Sequence, residues 1–217
     1  MSISNNLNTI KSSIPNDITL VAVSKTKPVS DLMEAYNAGQ RIFGENKIQE
    51  MTEKWQEMPK DIEWHMIGHV QSNKIKFMIP YVKLIHGIDS LKLLKEVNRL
   101  GIKWRKKINC LLQISIAEEE TKFGLDENEL AEILDYLNND ESATNVNVVG
   151  LMGMATFTDN QEQIRKEFTY LKSVFDKTQK ENQNFQILSM GMSGDYQIAI
   201  ECGSNMIRVG SSIFGTR

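Results

Sequence analysis

Eight short runs rich in β-branched and apolar residues are separated by seven segments with helical spacing. The runs are Ile18–Ser24, Arg41–Gly44, Trp64–Gly68, Leu84–Gly87, Ile108–Ile116, Val146–Met152, Phe185–Ser189 and Met206–Val209. Between them apolar residues recur at i, i+3, i+4 and i+7, as in Val29, Leu32, Met33 and Tyr36. Regular alternation of this kind builds a parallel sheet with crossover helices. Eight units favour closure into one α/β domain over residues 1–217, a (β/α)8 TIM barrel. The repeat is about 27 residues, which is compact for that fold. The polar segment Met1–Ile14 reads as an extra N-terminal helix that supplies the eighth helical position. An open doubly wound sheet is the alternative, but the first strand lacks the G-x-G-x-x-G turn of dinucleotide binders.

Local signals place the helix ends. Ser30 reads as an N-cap and Gly39 as a stop, and Pro59 ends the next helix. A helix from about Ser72 halts before Pro80, and another opens at Asp89 or Ser90 and ends at Gly101. Asp126 and Glu129 have capping-box spacing, and a short helix follows from about Asp195 to Glu201.

Composition narrows the function classes. Lys+Arg 25 against Asp+Glu 28 gives a net charge of -3, too little basic field for a general nucleic-acid or anionic-membrane binder. No apolar run reaches the ~18 residues of a membrane span, and the N-terminus lacks the pattern of a secretory signal. Cys110 and Cys202 have neither metal-ligand nor disulfide-framework spacing, so a reducing cytoplasmic setting is expected.

In a barrel the site lies in the loops after the strands. Strand alternation puts Val21, Val23 and Lys25 on one face. If the two valines fill the interior, the Lys25 ammonium projects into the mouth. Apolar surroundings penalise a charged amine and free it as a nucleophile, which suits imine formation with an aldehyde or ketone. Lys27 shares the parity of Lys25 and stays open as an alternative. The loops after the seventh and eighth runs, Ser189–Asp195 and Gly210-Ser211-Ser212, are rich in Gly and Ser. Barrels often bind phosphate there, on backbone N–H groups and hydroxyls. Arg208 points to the opposite face from Ile207 and Val209, and a guanidinium inside a strand requires acceptors. An amine, a phosphate cradle and an inward arginine suit pyridoxal 5'-phosphate (PLP); spacing alone does not separate this from a Schiff-base aldolase acting on a sugar phosphate.

Several stretches occur in order over essentially the whole chain: Ala22-Val23-Ser24-Lys25-Thr26-Lys27-Pro28, Phe43-Gly44-Glu45-Asn46, Trp64–Lys74, Lys122-Phe123-Gly124, Gly150-Leu151-Met152, Leu188–Ser193 and Arg208–Gly215. Together they resemble the pyridoxal phosphate homeostasis proteins of the YggS/PROSC type. The resemblance implies a barrel of the alanine racemase N-terminal domain type, without the second, β-rich domain of the racemases. It implies PLP as cofactor and Lys25 as its Schiff-base lysine. It further implies Ser193, Gly210 and Ser211 as phosphate ligands, Arg208 facing the pyridine nitrogen, and Asn46 near the ring. Departures are mild: Val70 stands where leucine is usual, and Ser211 where threonine is usual.

As to activity, the resemblance implies a PLP carrier or regulator in intracellular vitamin B6 and amino-acid homeostasis, with no established catalytic activity. PLP enzymes draw carbanion electrons into the ring, best when its nitrogen is protonated, and an arginine there opposes protonation by like charge. With Phe214-Gly215-Thr216-Arg217 the sequence ends just past the eighth strand, so one cofactor face is expected to lie open without a partner base. A PLP-dependent racemase or lyase of narrow specificity is the enzyme alternative. Expected partners are PLP and, as acceptors, PLP-dependent apoenzymes, with no nucleic acid and no membrane; a monomer is expected.

The remaining candidates are minor. His65 reads as a hydrogen-bonded barrel histidine, His69 lies at a loop near the site, and His86 has no obvious partner. Scattered histidines make a metal site unexpected. Glu118-Glu119-Glu120 reads as a solvated loop, with Lys122 after it as a secondary PLP acceptor. Cys110 reads as inert core.

Overall fold

The computed structural model describes residues 2–118 and 123–215, and eight parallel strands close into a barrel in sequence order. They are β1 (Thr19–Val23), β2 (Ile42–Glu45), β3 (Glu63–Met66), β4 (Val82–Ile88), β5 (Ile108–Gln113), β6 (Val146–Met152), β7 (Ile187–Ser189) and β8 (Met206–Val209). Closure comes from β1 pairing with β8, Val21 opposite Arg208. Outward side chains such as Ala22, Phe43, Trp64, Ile85, Leu112, Leu188 and Ile207 belong to the large apolar layer beneath the helices. Inward ones form a smaller cluster of Val21, Leu84, Leu111, Met152 and Met206. Strand alternation separates the two.

Helix α1 (Ile3–Ser13) is capped by the Ser2 side chain, which accepts from the Asn5 N–H. It packs outside β8 and β1: the Ser4 N–H donates to Glu34, and Asn6 Nδ2 donates to the Ile213 carbonyl. The N-terminal segment therefore fills the eighth helical position, as its polarity and length suggest. Around the barrel follow α2 (Val29–Asn37), α3 (Ile48–Glu57), α4 (Ile75–Met78, entered by a 3-10 turn over Ser72–Lys74) and α5 (Leu91–Trp104). The wall is completed by α6 (Glu127–Asn139), α7 (Gln161–Glu181) and α8 (Tyr196–Glu201). None of the described helices is long and apolar enough to cross a membrane.

The structure corrects some boundaries. Helix α2 starts one residue before Ser30, with Pro28 at the N-cap, because proline's fixed φ already suits a helix entry. Helix α5 runs through Gly101 to Trp104 and turns at Arg105, which is left-handed at φ 51. Strand β5 ends at Gln113 rather than Ile116; beyond it Ile114 makes only an isolated bridge to Leu125. A ninth helix, α9 (Ser211–Phe214), stands where loop residues are expected, since four residues are too few for periodicity to register. The capping box of Asp126 and Glu129 is present on α6.

Strands β6 and β7 approach closely at Gly150, where a Cβ would lie 1.8 Å from the Ile187 carbonyl oxygen. Gly150→Ala is expected to lower the unfolding free energy by about 3 kcal/mol, because backbone, not a flexible side chain, must give way. Chemical denaturation checks this, and a midpoint equal to that of the parent chain would show the contact to be looser.

Candidate functional site at the barrel mouth

Strand β1 ends at Val23, and the chain then breaks sharply. The Lys27 N–H donates to the Ser24 carbonyl at 3.1 Å, Thr26 sits at φ 65, and Pro28 opens α2. On the other side of β8, loop residues 190–195 fold back so that Ser193 Oγ accepts from the Gly210 N–H at 3.1 Å and from the Ser212 N–H at 3.5 Å. Two backbone donors from the entry of α9 thus converge on one hydroxyl oxygen, the arrangement an anion's oxygens would exploit. Between the two lies a cavity of about 580 Å³ at the carboxyl ends of the strands. Lys25, Asn46, Ser193, Arg208, Gly210 and Ser211 all line it, and so does Lys27. Parity does not separate the two lysines, because the turn at Thr26 ends the strand alternation.

The Asn46 loop is held by its neighbour: a Cβ at Gly68 would meet the Asn46 carbonyl oxygen at 2.5 Å. Only glycine allows the two loops this approach. Asp159 and Asp195 also line the cavity, against the cations Lys25, Lys27 and Arg208. Asp195 accepts from the Met192 N–H at 2.5 Å, which spends one carboxylate oxygen on loop geometry.

Arg208 is buried at 3% exposure. Its Nη1 donates to the Ser189 carbonyl at 2.9 Å and to Ser189 Oγ at 2.7 Å, and its Nη2 donates to the Gly153 carbonyl at 3.0 Å. Burial pulls its pKa down to about 10, opposed by Asp195, and it stays a cation at neutral pH. From Ser189 a buried chain runs inward: Ser189 Oγ to His86 Nδ1 at 3.2 Å, then His86 Nε2 to His65 Nδ1 at 3.0 Å. Arginine can only donate, so the Ser189 hydroxyl accepts from it, which leaves the hydroxyl proton for His86 Nδ1 in the tautomer where His86 carries its own proton on Nε2 and donates to His65.

His65 is thus the hydrogen-bonded barrel histidine expected of it. The expectation that His86 lacks a partner is corrected: it links Ser189 to His65, a relation that strand spacing cannot reveal because the three residues come from different strands. His69 is exposed, bonds Asp89 at 3.1 Å and stacks near Phe123, and is not among the cavity-lining residues. Lys122, Glu119 and Glu120 lie outside the described residues. Burial drives the Cys110 thiol pKa well up, in keeping with inert core.

Sequence reasoning missed the group behind β1. Glu45 and Lys54 are buried, and Lys54 Nζ donates to Glu45 Oε1 at 2.8 Å, to Glu50 Oε1 at 2.7 Å and to the Ser24 carbonyl at 2.8 Å. The signal was available: Lys54 follows Ile48 and Met51 at helical spacing, on the apolar face of α3.

A (β/α)8 barrel with a lysine after β1, an inward arginine on β8 and Ser/Gly loops after β7 and β8 defines a racemase-type barrel. Over residues 1–217 the chain matches the family model of the alanine racemase N-terminal domain. It is 36% identical over 204 residues to the pyridoxal phosphate homeostasis protein of Aquifex aeolicus, covering 93% of this chain and 88% of that one. With the human pyridoxal phosphate homeostasis protein the identity is 39% over 215 residues, covering 91% and 76%. Among solved structures, PipY of Synechococcus elongatus with PLP bound superposes with a TM-score of 0.90 at 32% identity, covering 99% of this chain and 100% of that one. Alanine racemase from Bartonella henselae shares the fold, with a TM-score of 0.75 at 17% identity over 99% of this chain and 58% of that one. The chain belongs to the pyridoxal phosphate homeostasis protein family.

The two buried histidines give the fold a pH dependence. Burial, helped by Lys83, pushes His65 down to about 3; burial, helped by His65 and Arg208, pushes His86 well below its ordinary value. Both rings are neutral when folded and gain a proton on unfolding below the ordinary value of 6.5. For His65, stability is therefore lost as pH falls from about 6.5 towards 3, by up to about 1.4 kcal/mol per pH unit, and His86 acts in the same direction. Urea denaturation across this window is expected to show a shallower slope for His65→Gln than for the parent; equal slopes would contradict the assignment.

Proposed function

We propose that this chain binds PLP at the barrel mouth and holds it reversibly for delivery, as a carrier or regulator of PLP supply. One observation carries the reading: the amine of Lys25, the guanidinium of Arg208 and the Ser193/Gly210/Ser211 cradle all line one cavity. The residues present fit the cofactor's three polar parts. Bound there, PLP supplies an aldehyde that condenses with a primary amine, forming a C=N bond and releasing one water.

In this reading Lys25 presents the amine. Ser193 and the backbone N–H groups at Gly210 and Ser211 hold the phosphate dianion, with Lys27 adding positive charge at the rim. Asn46 lies beside the ring. Arg208 faces the ring nitrogen and keeps it unprotonated, because a fixed positive charge opposes a second one. Behind Arg208 lie the neutral His86 and His65, and the carboxylate that acts on the guanidinium is Asp195, which lines the cavity. An unprotonated ring is a weak electron sink, which favours holding over turnover. PLP-dependent apoenzymes are the natural acceptors for a released cofactor.

Mixing the purified protein with PLP is expected to produce visible absorbance, and borohydride to fix the cofactor as a mass increase on the Lys25 peptide. Lys25→Ala should abolish both; a label on Lys27 or Lys122 alone overturns the assignment. Ser193→Ala is expected to weaken PLP binding about tenfold, the loss of one hydrogen bond to a charged group. Solvent deuterium exchange at Cα of added amino acids, above the rate with free PLP, would favour a racemase or lyase instead.

A further inference from the structure

The residues on either side of Lys25 are not held by the barrel alone. Strand β1 ends at Val23; beyond it the Ser24 N–H still donates to the Gly44 carbonyl of β2, and the Ser24 carbonyl accepts from the Lys27 N–H. Further restraint on residues 24 and 26 comes from the side chains of Glu45, at the end of β2, and of Glu50 and Lys54 on α3. The Ser24 hydroxyl donates to Glu45 Oε1 at 2.6 Å, and the Ser24 carbonyl accepts from Lys54 Nζ at 2.8 Å. The Thr26 N–H donates to Glu50 Oε1 at 2.5 Å. Lys54 ties these together, since the same ammonium reaches Glu45 Oε1 and Glu50 Oε1. The Lys25 backbone is therefore suspended between two residues whose anchors meet on one lysine.

We propose that Glu45, Lys54 and Glu50 act as positioning residues for Lys25, setting the direction in which its amine enters the cavity. This rests on the reading that Lys25 is the PLP-bearing lysine. Two features favour positioning over simple stabilisation. Thr26 is β-branched and adopts φ 65, a left-handed conformation that such a residue takes only under restraint. Glu50 restrains it through the carboxylate on its N–H, beside the turn that the Lys27 N–H closes on the Ser24 carbonyl. The second feature is that Glu45 Oε2 is buried without a hydrogen-bond partner among the described residues. An orphaned carboxylate oxygen costs stability, and burial accordingly raises the Glu45 pKa against the pull of Lys54. A network selected for stability alone gains nothing from that atom, whereas one selected to aim the strand end tolerates it.

Glu50 is the member that separates the two roles. Its side chain is 23% exposed, against 0% for Glu45 and 7% for Lys54, so removing it leaves the buried Lys54–Glu45 pair in place. The experiment compares the parent with Glu50→Ala and Glu50→Gln. PLP binding is read by visible absorbance, the fraction fixed on Lys25 by borohydride and mass spectrometry, and the thermal midpoint without PLP. Glu50→Ala is expected to lower PLP affinity and the Lys25-fixed fraction about tenfold, with a thermal midpoint within a few degrees of the parent. Glu50→Gln restores an acceptor for the Thr26 N–H and is expected to recover most of the loss. The proposal is overturned if Glu50→Ala labels Lys25 like the parent, or if binding and thermal midpoint fall together and glutamine recovers neither. A parent chain that carries no label on Lys25 refutes the functional reading itself, which is a different result.

Discussion

The ladder between β1 and β8 is what makes a site out of residues from opposite ends of the chain. Thr19 to Ala22 pair with Met206 to Val209, which sets Val21 beside Arg208. Past that register the two strands deliver their loops to one rim. A Cβ at Gly210 would already lie 3.1 Å from the Val23 carbonyl oxygen, so the loop after β8 abuts the strand end that precedes Lys25. An open sheet with the same strands would leave β1 and β8 at separate edges or in other neighbourhoods, and the lysine and the cradle would not share a cavity. Closure is thus a functional constraint as well as a way of removing sheet edges.

Closure also creates an interior that must be filled, and this barrel fills it in two ways. The inward residues nearer the amino ends are apolar: Val21, Leu84, Leu111 and Met206. Two positions further along three of these strands the inward residues become His86, Gln113 and Arg208, while β1 continues with Val23; on β7 Ser189 follows Ile187. Burying such groups costs free energy unless each finds a partner. Arg208 meets two carbonyls and a hydroxyl, Gln113 donates to the Phe123 carbonyl, and the histidines bond one another. The polar layer lies directly under the mouth, where a ligand's ring would rest on it. Its one fixed charge is the guanidinium, because both imidazoles are held neutral beneath it.

Much of this architecture was legible in the sequence because it depends on periodicity. Eight strand runs, the helices between them and the outward or inward facing of Val21 and Arg208 all follow from spacings of 2 and 3.6 residues. The six residues named for the site lie together because barrel topology converts position after a strand into position at the mouth. What spacing could not supply is contact between different strands. The pairing of His86 with His65 and Ser189 needs the register of β3, β4 and β7, which no single segment encodes. The same holds for Glu45 and Lys54: one reads as a strand-end polar residue and the other as a helical lysine, until packing places both in the same dry space. Short elements were missed for a different reason, since α9 completes barely one turn.

The two sides of the candidate site are built from different materials. On one, the backbone N–H groups of residues 210 and 212 gather on the Ser193 hydroxyl, in loops whose positions follow from the sheet itself. Backbone donors in short loops cannot be turned away without moving the strands that carry them. On the other side, the residues flanking Lys25 hang on side chains: Glu45 of β2, and Glu50 and Lys54 of α3, with Glu50 nearer the surface. The Gly210 side of the mouth therefore follows from the sheet, and the Lys25 side from side-chain packing between β2 and α3.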